Sequence, residues 1–308
     1  MIAEIFGYPA LVETDNSEIL HINKNKISMN IKKIIITGIV IFLTLSCIQR
    51  SADYYFMKGY RNFWDNNYEL AIRYFTRTIA IENKAANAYF FRGMSFGRLG
   101  KHEQAIEDLT LVIKYITEDD IRRATVYNNR GIQYFFINEY DKAISDFKTA
   151  IKLRPELRGS YYGLVKVYDR QGNWYLSAKY ADRIISIDPT FARAYFFRGV
   201  GFFYQNKDKE AIEDFNTAIK LGYDSARLYV FFGAVYLFLG NVESALQIFN
   251  KGIETHPNSS MLFWSRAGLY EKHLHEYEKA IADFKRAAEL GDEEARAVLK
   301  GEFGIEDW

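Results

Sequence analysis

A small residue returns at Ala71, Ala105, Ala143, Ser177, Ala211, Ala245 and Ala280, at steps of 34, 38, 34, 34, 34 and 35 residues. A sustained period of this length constrains the fold before local propensity is considered. Each period must be one supersecondary unit whose apolar face only its neighbours can cover. Other registers keep the same beat. One runs Gly59, Gly93, Gly131, Val165, Gly199, Gly233 and Ala267. A second is aromatic throughout, from Tyr55, Tyr89, Tyr127 and Tyr161 to Tyr195, Tyr229 and Phe263. A third is mostly aromatic: Phe75, Leu109, Phe147, Ala181, Phe215, Phe249 and Phe284. Pro155, Pro189 and Pro257 fall at one place in the period, where a helix must stop.

Counted from Ala52, Ala86, Ala124, Arg158, Ala192, Ala226 and Ser260, the fourth, eighth and eleventh residues share one helical stripe. The small eighth residue lets a second helix approach, and the small twentieth sits on that partner. The twenty-fourth lies one turn further along and fills the gap beside the rings. Polar turns such as Gly100-Lys101-His102 and Asn206-Lys207-Asp208 separate the two helices. This predicts seven helical hairpins, over 52–85, 86–119, 124–157, 158–191, 192–225, 226–259 and 260–291. A four-residue insertion near Thr117–Ile121 precedes the third, and the seventh has an extra residue around Lys272–Tyr277. Asp292-Glu293-Glu294 then opens a short helix with Ala295, Val298 and Leu299 as its apolar face, a cap for the exposed end, within the closing segment 292–308.

The run Tyr127-Asn128-Asn129-Arg130-Gly131, Tyr140-Asp141-Lys142-Ala143-Ile144, Asp146-Phe147 and Ala150-Ile151 to Pro155 resembles the bacterial form of the tetratricopeptide repeat. The resemblance covers about residues 52–291 and departs most in the fourth repeat, where Val165, Ser177 and Ala181 stand at consensus places. It implies an all-α, right-handed superhelical solenoid that binds protein or peptide partners and has no catalytic role.

The front of the chain is different. Residues 1–28 show neither helical nor strand periodicity, whereas Met29 opens a signal-like stretch; residues 1–28 are expected to be a leader ahead of the true initiator. Lys32 and Lys33 precede the uncharged run 34–46, which is shorter than the roughly 20 residues of a membrane span. Cys47 follows directly and is the chain's single cysteine, which excludes an intrachain disulfide and a multi-thiolate metal site. The arrangement is similar to a bacterial lipoprotein signal over 29–46, although Thr44-Leu45-Ser46 departs from that family's usual pattern. It implies lipid on Cys47, a short tether at 47–51, and a place at the bacterial cell envelope. An uncleaved N-terminal anchor is the second choice.

Forty basic residues face thirty-nine acidic ones, so there is no general electrostatic footprint for nucleic acid. Gly93-Met94-Ser95-Phe96-Gly97 matches the G-x-S-x-G pattern of serine hydrolases, but it lies mid-helix without the strand-to-helix turn that pattern needs. His273 and His275, with Glu271 and Glu276, fall in the elongated turn of the seventh repeat and read as solvent-facing polar residues. No cofactor, metal or small-molecule substrate is implied.

Two structural expectations follow from co-occurrence. Arg92, Arg130, Arg198 and Arg266 occupy the seventh place of repeats whose twenty-third place is Asp108, Asp146, Asp214 and Asp283. The other three repeats carry Lys58, Leu164 and Phe232 against Tyr74, Tyr180 and Ile248. Each Arg should therefore pair with the Asp of its own repeat. The acidic, aromatic segment Glu302–Trp308 is expected to dock on the last repeats or in a neighbouring groove.

In the family that the motif resembles, first helices line the concave face. The resemblance thus places a partner groove on Tyr60, Trp64, Met94, Arg98, Ile132, Phe136, Lys166, Arg170, Arg193, Tyr204, Arg227 and Phe238. The lysine and asparagine of the family's chaperone-tail clamp are absent from its first repeat. The groove should take an extended or helical segment with bulky apolar and some acidic side chains.

Overall fold

The computed structural model describes residues 51–116 and 120–305. Among them lie fifteen α-helices and no strand, the all-α solenoid that the period predicts. Seven hairpins follow one another: α1 (Ala52–Trp64) with α2 (Tyr68–Ile81), α3 (Ala86–Arg98) with α4 (His102–Tyr115), and α5 (Asp120–Phe136) with α6 (Tyr140–Leu153). Then come α7 (Arg158–Arg170) with α8 (Trp174–Ile187), α9 (Ala192–Phe203) with α10 (Asp208–Lys220), α11 (Ala226–Phe238) with α12 (Val242–Thr255), and α13 (Ser260–Leu269) with α14 (Tyr277–Glu289). Helix α15 (Glu293–Gly301) covers the end, its N-terminus capped by the Asp292 side chain on the Ala295 N–H.

A sharper turn rule than the sequence reading recognised fixes each hairpin. The fifteenth residue of the first six repeats is left-handed: Asn66, Gly100, Asn138, Gly172, Asn206 and Gly240. Only glycine and asparagine enter this region cheaply, so their alternation is a backbone requirement. The next residue's N–H then reaches back to the last turn of the first helix, as in Lys101 to the Phe96 carbonyl at 2.9 Å and Asn173 to Tyr168 at 2.8 Å. In the seventh repeat the extra residue is absorbed by a π-helical turn, Tyr270–Leu274, with His275 left-handed and Glu276 bonded back to Tyr270 at 2.9 Å.

Within a hairpin the small eighth residue meets the large twenty-fourth. A Cβ on Gly233 would stand 2.3 Å from Phe249 Cε1, and one on Gly131 would stand 2.9 Å from Phe147 Cε1. Phe75, Phe147, Phe215 and Phe249 are buried there. The twentieth residues, from Ala71 to Ala280, are buried too. In the fourth repeat Val165 and Ala181 exchange bulk across the same contact, and both are buried.

All four Arg–Asp pairs form within their repeats. Arg92 Nε donates to Asp108 at 2.8 Å and Nη2 at 2.7 Å, and Arg130, Arg198 and Arg266 grip Asp146, Asp214 and Asp283 in the same fork. The remaining Nη1 reaches into the preceding repeat, to Thr76, Thr110, Asp182 and Asn250 respectively. Rings at the fourth and eleventh places flank the guanidinium, such as Tyr195 and Phe202 each 5.5 Å from Arg198. Aspartate hydrogen bonding drives the Arg198 pKa up, while burial is the largest influence on Asp214 and raises its pKa.

The closing segment docks as far as it is described. Phe303 lies 6.2 Å from Phe284, Ile305 packs on the same cluster, and the Ile305 N–H bonds the Leu299 carbonyl at 2.9 Å. Residues 306–308 lie outside the described residues.

Candidate partner-binding groove

Successive first helices run along one face. Trp64, Phe136 and Phe238 close α1, α5 and α11 and Tyr204 follows α9 directly, and Trp64, Phe136, Tyr204 and Phe238 remain 63%, 58%, 51% and 63% exposed. Phe136 stacks on His102 with centroids 4.9 Å apart and planes 9° apart, and Tyr204 stacks on Trp174 at 5.0 Å and 9°. His102 and Trp174 each begin the second helix of the preceding repeat. The exposed rings therefore form a rim beside the hairpin turns rather than the groove floor. Phe238 meets Phe203 edge-on at 6.2 Å, and Trp64 meets Tyr60 edge-on at 6.0 Å.

The floor is less accessible. Tyr60, Met94 and Ile132 are half-buried, with Tyr60 edge-on to Phe91 at 5.1 Å and Ile132 against the third-repeat core. Val200 and Phe196 belong to the core itself. Among the cations, Arg98, Arg170 and Arg193 are exposed and Lys166 is half-buried. Arg193 donates to the Tyr162 hydroxyl at 3.5 Å. Burial pushes the Lys166 pKa down, and nearby Arg170, Arg227 and Arg193 push the same way against the opposing pull of Asp169.

Arg227 lies among rings and also holds a carboxylate. Its Nη1 and Nη2 donate to the two Asp169 oxygens, each at 2.8 Å, across 58 residues. This fork joins the second residue of repeat six to the twelfth of repeat four. Phe231 and Phe196 lie 5.4 and 5.5 Å from the guanidinium. Asp169 escaped the sequence reading because its partner lies two repeats away. The available signal was an acidic residue where neighbouring repeats place Phe135, Phe203 and Leu237.

Ser95 does not have a hydrolase setting. Its buried hydroxyl donates to the Phe91 carbonyl at 2.7 Å in the middle of α3. Among the described residues no group of acidic, histidine or cysteine side chains has a metal-holding arrangement, and no helix is long and apolar enough to cross a membrane. Cys47 and the signal-like run lie outside the described residues.

Comparison with known proteins agrees with the geometry. Family models described as tetratricopeptide repeat match residues 124–157, 86–118 and 226–259. The human tetratricopeptide repeat protein 13 is 28% identical over 169 residues, 51% of this chain but only 18% of that protein's length. A tetratricopeptide repeat protein from Parabacteroides merdae superposes with a TM-score of 0.61 at 21% identity, over 82% of this chain and 98% of the other. YrrB, described as a TPR protein with an unusual peptide-binding site, gives 0.53 at 21% identity, over 62% and 97%. With these matches added to the repeat geometry, the chain carries tetratricopeptide repeats, a fold whose proteins serve as protein-interaction scaffolds.

Proposed function

We propose that the protein is a non-enzymatic scaffold or adaptor tethered to the bacterial cell envelope, holding a partner's extended or helical segment against its first-helix face. The observation that carries this reading is the row of exposed rings at Trp64, Phe136, Tyr204 and Phe238. Exposed aromatics beside arginines are the residue types that dominate binding energy at protein interfaces. The peptide-binding description of YrrB lends support from a protein of the same fold. Replacing the four rings together by Ala should weaken partner capture, read by crosslinking from intact cells, while the circular-dichroism melt stays cooperative. Unchanged capture with an intact fold defeats the groove. A second placement of the same surface, outside the cell against host or environmental proteins, is distinguished by sensitivity to added protease.

The tether is tested separately. Cys47 stands five residues before the first residue of α1, Ala52. Lipid there would hold the solenoid close to the bilayer. Intact-mass measurement on native protein should find a lipid-modified Cys47 as the first residue. An unmodified thiol with upstream residues still attached rules the lipoprotein reading out.

A further inference from the structure

The first-helix face of repeats four to six has an uneven charge. Lys166, Arg170, Arg193 and Arg227 lie on three successive first helices, whereas Asp169 is the acidic residue among them. Asp169 is committed to Arg227, and its side chain is 9% exposed. Lys166, Arg170 and Arg193 have no carboxylate within ion-pair distance among the described residues. Lys166 is half-buried, so water screens it from its cationic neighbours less than it would at an open surface. An arriving anion would relieve that repulsion.

We infer that this wall is a subsite for an acidic peptide segment, with a ligand carboxylate taken between Lys166 and Arg193, and that Asp169 already occupies Arg227 as the chain's own stand-in for such a carboxylate. The forked grip of Arg227 on Asp169 shows how this surface holds a carboxylate when it has one. The stacked Trp174 and Tyr204 nearby suit bulky apolar side chains beside the acidic ones. The near-balance of charge over the whole chain speaks against a polyanion such as nucleic acid, which needs a continuous basic track. Three cations without a carboxylate partner on one wall fit one or two carboxylates. The inference rests on reading the first-helix face as a partner site and adds the chemistry of the partner.

The test uses fluorescein-labelled synthetic peptides, about a dozen residues long, that alternate Glu or Asp with Leu, Phe and Trp. Matched peptides carry Lys or Gln in place of the acids. Fluorescence anisotropy with the full chain, held in detergent, should show the acidic peptide binding at least about tenfold more tightly than either control, a preference that added salt reduces. Lys166→Gln with Arg193→Gln should remove that preference, and a circular-dichroism melt checks the fold. Asp169→Asn should tighten acidic-peptide binding severalfold, because Arg227 is then free to take a ligand carboxylate. If Asp169 only braces the superhelix, the same change leaves binding equal or weaker and overturns its stand-in role. Equal binding of acidic and Lys peptides overturns the subsite while leaving a peptide groove standing. Failure of all the peptides, while the four-ring variant still loses crosslinked partner, also overturns the subsite but spares the groove. Tighter binding of an oligonucleotide or of anionic vesicles at the same residues overturns the assignment to an acidic peptide.

Discussion

Arg198→Phe should destabilise the fifth repeat by about 3 kcal/mol, whereas Arg198→Phe combined with Asp214→Ile should return to within about 1 kcal/mol of the starting protein. The single change removes both Nε and Nη2 donors, at 2.9 and 2.8 Å, from a carboxylate that is only 4% exposed. A buried charge without its partner is the expensive state, whereas a well-packed apolar pair is not. The protein already contains that apolar solution. Repeat six has Phe232 and Ile248 at the same two places, Phe232 is buried, and its ring lies 5.6 Å from Phe215. Loss of the third Arg198 bond should matter little, because the Asp182 side chain is 65% exposed and water can replace the guanidinium. Urea unfolding of the wild type, both single variants and the double variant gives the coupling directly. A double variant as unstable as Arg198→Phe means that the pair stabilises through more than mutual charge satisfaction.

This pair also shows why some of the structure was legible in the sequence. Arg at the seventh place and Asp at the twenty-third occur together in four repeats and are both missing from three, a pattern expected of contact within a repeat, although repeat duplication would also leave it. The second function of the same guanidinium was not legible. Its acceptors in the preceding repeat are Thr76, Thr110, Asp182 and Asn250, chemically varied residues that share only an oxygen in the right place.

The groove divides along the same line. The family resemblance identified the helices that face it, and the 3.6-residue period gave the packing stripe of each. Neither separated rim from floor. Phe136 ends its helix and Tyr204 directly follows its own, and their stacking on His102 and Trp174 depends on how far one hairpin is offset from the last. The Asp169–Arg227 fork depends on superhelical curvature accumulated over two repeats, which a nearest-neighbour pattern does not encode. The left-handed fifteenth position was visible as alternating Asn and Gly, but it carries no hydrophobic signal and so lay outside the registers used to find the repeat.

One substitution at two glycines should give opposite signs. Gly201→Ala is expected to destabilise by about 1–3 kcal/mol, even after the roughly 1 kcal/mol that alanine gains over glycine in a helix. A Cβ there would stand 2.3 Å from Ala178 Cβ and 2.7 Å from the Trp174 carbonyl oxygen. Neither atom is the end of a flexible side chain, so α8 and α9 must move apart. Gly268→Ala, in α13, meets nothing within 4 Å and should stabilise by about 0.5–1 kcal/mol. Midpoints from urea titration followed by circular dichroism compare the two. Hydrogen exchange shows whether the Gly201→Ala loss begins in repeats four and five, since a stacked array can open in parts. Separation of α8 from α9 should also disturb the Trp174–Tyr204 stack on the rim, so the variant tests whether inter-repeat spacing sets that surface. A Gly201→Ala protein as stable as the wild type is incompatible with the close approach of these helices.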